Sequence, residues 1–445
     1  MYASVYVILH ICVVYACVHV LVFAYCSLVC MYTMIDLLEL RIPIDASHCT
    51  SLDDGYSKFA GDVYQLGVNL AGKGLYRTDD GIVKADIEYH AYESLPTSFT
   101  GIAMKMFLES RDSLPYVQIK CSPAKIMQGH NVFGSMDLEL CADEMIQFLA
   151  LAYPELSSML YTQGATVSQM DITFSARLPN ESTAEKVIHF LKNVSSKQRR
   201  SRFTGHSTTA GWGGATSRLI KLKAYLKQYE FQEQLEEHIK AAQRNNIAAQ
   251  RIVEVMSDPR LIEWTKCLLR WEATIKHRWL ERKGISVNLW DLIKLQKEAQ
   301  LQDRCILSDW WEEATRDIFQ ALEDQTMRFN DDRDVLDRLI LMYQTVTKKG
   351  NFSNARANHL YGFYQDLKRE EISYLKQRYG KHYYGKFNDL MAIGFSKAQL
   401  QNLKAQQDDP TNVIPIMRFV KVDFNAQRPD WYQEPVSYFA QMKAA

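Results

Sequence analysis

The sequence predicts an α+β fold: a sheet with helices packed on one face, followed by a helix-rich C-terminal part. Three observations predict it. Between residues 36 and 121, apolar residues alternate in short runs bounded by Pro, Gly or Ser. Between 137 and 193, helical spacing is interleaved with one further alternating run. From Glu230 onward helical spacing dominates.

Taken in order, strands are expected over 36–42, 99–107 and 115–121. A helix is expected over 137–153, where Leu138, Met145, Phe148 and Leu149 share a face, and a strand over 166–176. The segment 182–193 opens with Ser-Thr-Ala-Glu, which fits a capping box and predicts a helix. Residues 195–217, rich in Ser, Thr, Gly and Arg with no apolar period, predict a loop. Helices are then expected over 230–255, within the Trp-rich region 288–329, and over 335–347, 354–369 and 396–403.

The chain has 445 residues, 47% hydrophobic and 23% charged, which excludes a disordered tail protein, a collagen-like fibre and a small disulfide scaffold. Two or three domains are the natural expectation at that length. Its 52 basic and 52 acidic residues cancel, so local charge has to decide whether a polyanion is bound. Nine cysteines are present, and the five beyond the N-terminal stretch lie singly, without Cys-x-x-Cys spacing. That argues against a zinc site or disulfide framework and for buried thiols in a reducing compartment. Residues 1–33 contain no Asp, Glu, Lys or Arg, and 5–31 is long enough to span a bilayer as a helix. No basic n-region or small-residue cleavage pattern accompanies it. By composition alone a membrane anchor leads over a translation start placed too early, ahead of Met34.

Between Lys192 and Lys227 the chain has nine Lys or Arg residues and not one Asp or Glu. A charge run is usually a solvated face. The total absence of acids in an otherwise balanced chain nevertheless gives this window the electrostatic footprint of a phosphate-binding surface, with Lys197, Arg199, Arg200, Arg202, Arg218, Lys221 and Lys223 as candidate phosphate contacts.

Three segments, if strands, each sort polar groups onto one face. The first places Lys221, Lys223, Tyr225 and Lys227 opposite Leu222, Ala224 and Leu226; the second, Gln169, Asp171, Thr173 and Ser175 opposite Met170, Ile172 and Phe174; the third, Arg270, Glu272, Thr274 and Lys276 opposite Trp271, Ala273 and Ile275. If they pair in one sheet, a phenol, two carboxylates and several cations converge. That set suits phosphodiester chemistry through tyrosine: adjacent lysines favour the phenolate of Tyr225, and Asp171 and Glu272 can hold a hard divalent cation such as Mg²⁺. The competing pattern is helical, with Leu219, Leu222, Leu226 and Tyr229 on one face and Tyr225 on its flank. Tyr229 is a second candidate phenol and His130, in a glycine-flanked turn, a candidate metal or phosphate contact, although packing and local hydrogen bonding are the commoner roles for such residues.

Many short segments together resemble a known family. They are Met34-Ile-Asp, Leu40-Arg, Glu93-Ser-Leu-Pro-Thr, Ser122-Pro-Ala-Lys, Gln128-Gly-His-Asn-Val-Phe-Gly, Asp171-Ile-Thr-Phe-Ser-Ala-Arg with Pro179-Asn-Glu, Ala224-Tyr-Leu-Lys, Arg270-Trp-Glu-Ala, Arg278-Trp-Leu, Arg418-Phe-Val-Lys-Val-Asp-Phe and 427–436. In this order they resemble the gene II replication initiators of filamentous bacteriophages, the nicking and closing enzymes of rolling-circle replication. The resemblance implies an antiparallel-sheet nuclease domain with flanking helices over 34–326, including the basic loop 195–217, and a helical DNA-binding domain over 327–445.

It also implies that Tyr225, assisted by Lys227, nicks the plus strand of the double-stranded origin and stays on its 5′ end. The displaced single strand is later closed into a circle. Mg²⁺ or another divalent cation would be the cofactor, the host helicase, polymerase and single-strand-binding protein the partners, with self-association on DNA, and the bacterial host cytoplasm the location. Asp171 and Glu272 look like the acids of plasmid rolling-circle initiators, while no His-hydrophobic-His motif is found. The family also yields a shorter product from an internal start, where Met327 stands here. Residues 1–33 have no counterpart in the resemblance, which moves a misplaced start or a lineage-specific addition ahead of a membrane span. A non-catalytic origin-binding repressor using the same basic surface is the alternative function.

Overall fold

The computed structural model describes residues 33–439 apart from 52–54, 64, 69, 78–82, 91, 196–200, 203–206, 215, 324–331, 348–349 and 405–415; for 70–77, 83–90, 182, 201–202 and 333–334 it describes the backbone alone. The hydrophobic N-terminal stretch, Lys197, Arg199, Arg200, the side chain of Arg202 and Met327 therefore lie outside the described residues. No described helix is long and apolar enough to cross a membrane.

A nine-stranded antiparallel sheet organises the chain. Its strands are β1 (Met34–Pro43), β2 (Glu93–Leu95), β3 (Ile102–Phe107), β4 (Tyr116–Cys121), β5 (Thr166–Arg177), β6 (Ser201–Arg202), β7 (Thr209–Trp212), β8 (Ile220–Leu226) and β9 (Leu268–Lys276). Across the sheet they run β6-β7-β8-β9-β5-β1-β4-β3-β2. Non-local pairs at the centre, β5 with both β1 and β9, bring residues on the order of a hundred positions apart into register. Residues 70–77 and 83–90 form a separate two-stranded hairpin.

Helices follow from local sequence. Here α1 (Pro123–Gln128) starts on a proline, whose missing N–H costs nothing at that position, and ends at Gly129 with φ 80°. Asp137 caps α2 (Leu138–Ala152) by accepting from Glu139 N and Leu140 N. The cap of α3 (Glu181–Asn193) is Asn180, which accepts from Thr183 N. The helix expected over 230–255 is two, α4 (Lys227–Ala242) and α5 (Ile247–Met256), because Asn245 turns the chain at φ 62° and Asn246 caps the next helix. Further on come α6 (Pro259–Thr265), α7 (Leu289–Gln300) and α8 (Ile306–Glu323). The stretch expected to be all loop contains β7, whose Ala210 and Trp212 are buried.

The apolar face of the sheet makes the main core, where Phe174 meets Trp311 edge to face and Trp212 stacks on Trp271 at 5.6 Å. A second core closes the helical region between Val335 and Leu403. Among the tyrosines there, Tyr383 is core and Tyr379 donates to Asp366, whereas Tyr374 and Tyr384 are exposed. Beyond it the chain returns to the first core: Phe424 packs on Phe174 and Trp311, and Phe439 on Phe148.

Candidate active site on the polar face of the sheet

The register of β5, β9 and β8 lines up three cross-strand rows on the polar face. They are Asp171–Thr274–Lys221, Thr173–Glu272–Lys223 and Ser175–Arg270–Tyr225. Tyr225 is thus a strand residue; the helical spacing of its neighbours is realised only from Lys227, where α4 begins. Directly opposed side chains in antiparallel strands are close neighbours and diagonal ones lie within reach, so register alone joins Tyr225 to Arg270 and Asp171 to Glu272.

The acids Asp171 and Glu272 are diagonal neighbours on this face. Asp171 is buried, and burial together with neighbouring Glu272 raises its carboxyl to about 7, with the Thr274 hydroxyl opposing the shift. Glu272 is buried and accepts from Lys223 Nζ at 2.9 Å. Burial disfavours the Lys223 ammonium, yet Glu272 and Asp171 hold it above the usual lysine range. Carboxylate oxygens are the donors a hard divalent cation takes, and this pair offers two neighbouring carboxylates, Glu272 already accepting from Lys223. Among the described residues no group of three or more His, Cys, Asp or Glu side chains is arranged to hold a metal.

The cation facing Tyr225 is an arginine, not the lysine pair expected from sequence. Lys223 is engaged with Glu272, and the fully buried Lys227 donates to Asn131 Oδ1 at 2.8 Å and to Glu230. Burial lowers Lys227 to about 8, against the pull of Glu230. Arg270, 1% exposed, lies opposite Tyr225 across the sheet and donates through its two terminal nitrogens to the carbonyls of Asn131 and Val132. Burial holds the Tyr225 phenol well above the ordinary tyrosine range, with Arg270 pulling the other way.

Two residues not singled out from sequence complete the network. Asp36 sits at a bulge in β1, where the pairing with β5 shifts between Ile35 and Leu37. Its Oδ1 accepts from Asn131 Nδ2 at 2.8 Å and Ser122 Oγ at 3.3 Å. Its sequence signal is an acid inside the apolar strand Met34-Ile-Asp-Leu-Leu. Asn131 links that carboxylate to Lys227 and presents its carbonyl to Arg270.

His130, buried in the same turn, has a local role: its Nδ1 accepts from Val132 N at 3.3 Å and its ring meets Phe133 edge to face. Burial and the cations Lys227 and Arg270 depress its pKa to about 3. Tyr229 points to α3, donating to Glu181 at 3.0 Å and Glu185 at 3.2 Å; burial and those acids raise it to about 12. Of the expected DNA contacts, Lys221 and Lys223 lie on the site's own face, beside Lys276 and near Lys120, and Arg218 is in the turn before β8.

Residues 34–300 match the family model for the N-terminal part of the phage Replication-associated protein, and residues 346–438 match the model for its C-terminal part. The Replication-associated protein of Enterobacteria phage M13 is 37% identical over 411 residues, covering 91% of this chain and 99% of that protein. The protein of the same name from Salmonella phage IKe is 36% identical over 415 residues, covering 91% and 97%. No solved structure matches.

Proposed function

Because the chain belongs to the Replication-associated protein family of these phages, we propose that it initiates phage DNA replication by nicking one strand of the double-stranded origin through Tyr225 and later rejoining the displaced strand. The observation that carries this reading is the row Ser175–Arg270–Tyr225 lying beside the Asp171 and Glu272 pair on one polar face.

In the forward step the phenolic oxygen of Tyr225 attacks the scissile phosphorus. The tyrosine–phosphorus bond forms, the bond to the 3′ oxygen breaks, and the proton lost by the phenol is balanced by one gained at the 3′ oxygen. The 3′-hydroxyl is then free for extension while the 5′ phosphate stays on the protein. Attack by a later 3′-hydroxyl reverses each bond change and closes the strand. Arg270 stabilises the developing phenolate, and Lys221, Lys223, Lys276 and Arg218 track the backbone phosphates. Lys227 acts on the site through Asn131.

Asp171 and Glu272 would hold the divalent cation, Mg²⁺ in the simplest case. When bound, that ion supplies charge neutralisation at the phosphate and the leaving oxygen. The setting is the host cytoplasm, with host polymerase, helicase and single-strand-binding protein acting on the exposed 3′ end and displaced strand, and self-association of the initiator on DNA. The C-terminal helical region adds DNA contacts, for which the exposed Tyr374 and Tyr384 are suited by stacking.

The test is incubation of supercoiled DNA carrying the phage's own origin with the protein and Mg²⁺. A relaxed product with protein joined to a 5′ end, absent in Tyr225→Phe, is expected. Origin binding without any adduct would leave a non-catalytic repressor, and an adduct formed by Tyr225→Phe would move the nucleophile elsewhere.

A further inference from the structure

The returning C-terminal segment meets the sheet where β1 runs out. Strand β1 pairs with β5 only as far as Met34 opposite Thr173, so among the described residues no strand pairs with the backbone of Ser175 on that side. The side-chain amide of Gln427 takes that place: its Oε1 accepts from Ser175 N at 2.7 Å and its Nε2 donates to Ser175 O at 2.9 Å. Both backbone groups of Ser175 therefore point away from β9, which makes Ser175 and Arg270 a non-hydrogen-bonded pair, the type whose side chains approach most closely.

The adjacent Arg428 donates to Gly134 O at 2.9 Å, pairs with Glu434 at 3.0 Å and lies over the Tyr432 ring at 4.5 Å. Tyr432 and Trp431 in turn pack on Phe133. One short turn, 131–134, is thus gripped by two arginines, Arg270 on the carbonyls of Asn131 and Val132, and Arg428 on that of Gly134. A small crevice lined by Thr173, Ser175, Arg270, Gln427 and Arg428 lies between the segment and the site.

We propose that Gln427 and Arg428 are positioning residues of the nicking site, acting on Tyr225 through Ser175, the 131–134 turn and Arg270. The inference rests on the assignment of Tyr225 as nucleophile. It makes the C-terminal segment, 202 residues after Tyr225 at Gln427, a structural part of the site rather than an appendage to it. The carbonyls of the turn hold the Arg270 guanidinium, and Arg428 of the segment holds the turn.

The test uses the full chain. Adduct formation is followed in a single turnover at saturating origin DNA, alongside the Kd for an origin fragment, in Gln427→Ala, Arg428→Ala, Arg428→Lys and Tyr438→Ala. Both alanine variants at 427 and 428 should slow adduct formation at least about tenfold while leaving Kd within about twofold. Lysine at 428 should recover part of the loss by keeping a donor for Gly134 O. Tyr438 stacks on Phe148, away from the turn, so its loss should leave the rate within about twofold. Parent-like rates at 427 and 428, equal slowing by Tyr438→Ala, or a loss confined to Kd would each overturn the inference while the Tyr225 assignment stands. A parent chain that forms no adduct overturns both. Should Arg428→Ala fail to fold, Gln427→Ala, which leaves the aromatic packing of the segment intact, carries the test alone.

Discussion

Replacing Arg270 by Lys and by Gln separates what its charge does from what its shape does. The side chain is 1% exposed, and its planar fork satisfies two backbone carbonyls at once. Either replacement retains a donor for one carbonyl and leaves the other buried without a partner, at a cost of about 1–3 kcal/mol. Loss of a charge-assisted bond adds to this, so both variants should be about 2–3 kcal/mol less stable in urea and melt about 2–5 °C lower. They should differ in chemistry. At an effective dielectric near 20, a unit charge about 4 Å from a phenolate stabilises it by about 4 kcal/mol. Lys keeps that charge and Gln removes it, so at saturating DNA the Gln variant should form the 5′ adduct about a hundred to a thousand times more slowly than the Lys variant. Gel-resolved single-turnover kinetics with labelled origin DNA measures the ratio, and urea melts check that the two are similarly folded. Equal rates in two equally stable variants would refute the idea that the cation opposite Tyr225 carries the phenolate.

Three further outcomes follow from the same geometry. Because burial and Glu272 raise Asp171 from the ordinary carboxylate range to about 7, its charged form weakens the fold above that pH, and stability from this group is gained as pH falls from about 7 towards 4; Asp171→Asn at pH 8 with chelator should therefore stabilise the chain by on the order of 2–4 kcal/mol while abolishing adduct formation, and a destabilised Asn variant would count against the pair. His130 runs the other way: held neutral with a pKa of about 3 against 6.5 when unfolded, it contributes stability that is complete above 6.5 and lost by up to about 1.4 kcal/mol per pH unit below it, so urea melts of His130→Gln should lack that part of the acid slope. Lys221→Ala should reduce the salt dependence of origin binding by about one unit of log–log slope without altering the folded state, as checked by binding titrations across salt; an unchanged slope would take Lys221 off the phosphate path.

Much of the sheet is legible because alternation is a local property. The polar faces of β5, β8 and β9 can be written down residue by residue, and one assumption, that the three strands pair, is enough to bring Tyr225, Asp171 and Glu272 together. Alternation does not give the register, and register decides which cation meets the phenol. Lys223 and Lys227 are its neighbours along the chain, but Arg270 is its neighbour across the sheet. Chain proximity therefore points to lysines and a lowered phenol pKa, whereas the folded site buries the phenol beside a guanidinium and raises it. β7 escapes notice for a related reason: Thr-Ala-Gly-Trp inside a polar run has no alternation to read, and it is a strand by its pairing with β8, with Trp212 anchored by stacking on Trp271 and donating to Val194 O.

The least legible parts of the site are those whose partners are most distant. Asp36 is fixed by Asn131 across 95 residues, and Ser175 by Gln427 across 252. Neither contact leaves a periodic trace, because a single polar side chain bonding to one backbone segment has no repeat. Their physical logic is nonetheless plain. If Tyr225 is the nucleophile, its buried phenol needs a cation delivered to one place, and the two terminal nitrogens of Arg270 are held there by the carbonyls of the turn. That requirement accounts for a carboxylate and an amide on β1 and the turn at one end, and for a glutamine and an arginine from the far end of the chain at the other. On the proposed assignment of Tyr225, the site is complete only with β1 and the segment carrying Gln427 both packed on the sheet, which would tie its reactivity to residues far from the strand that carries the tyrosine.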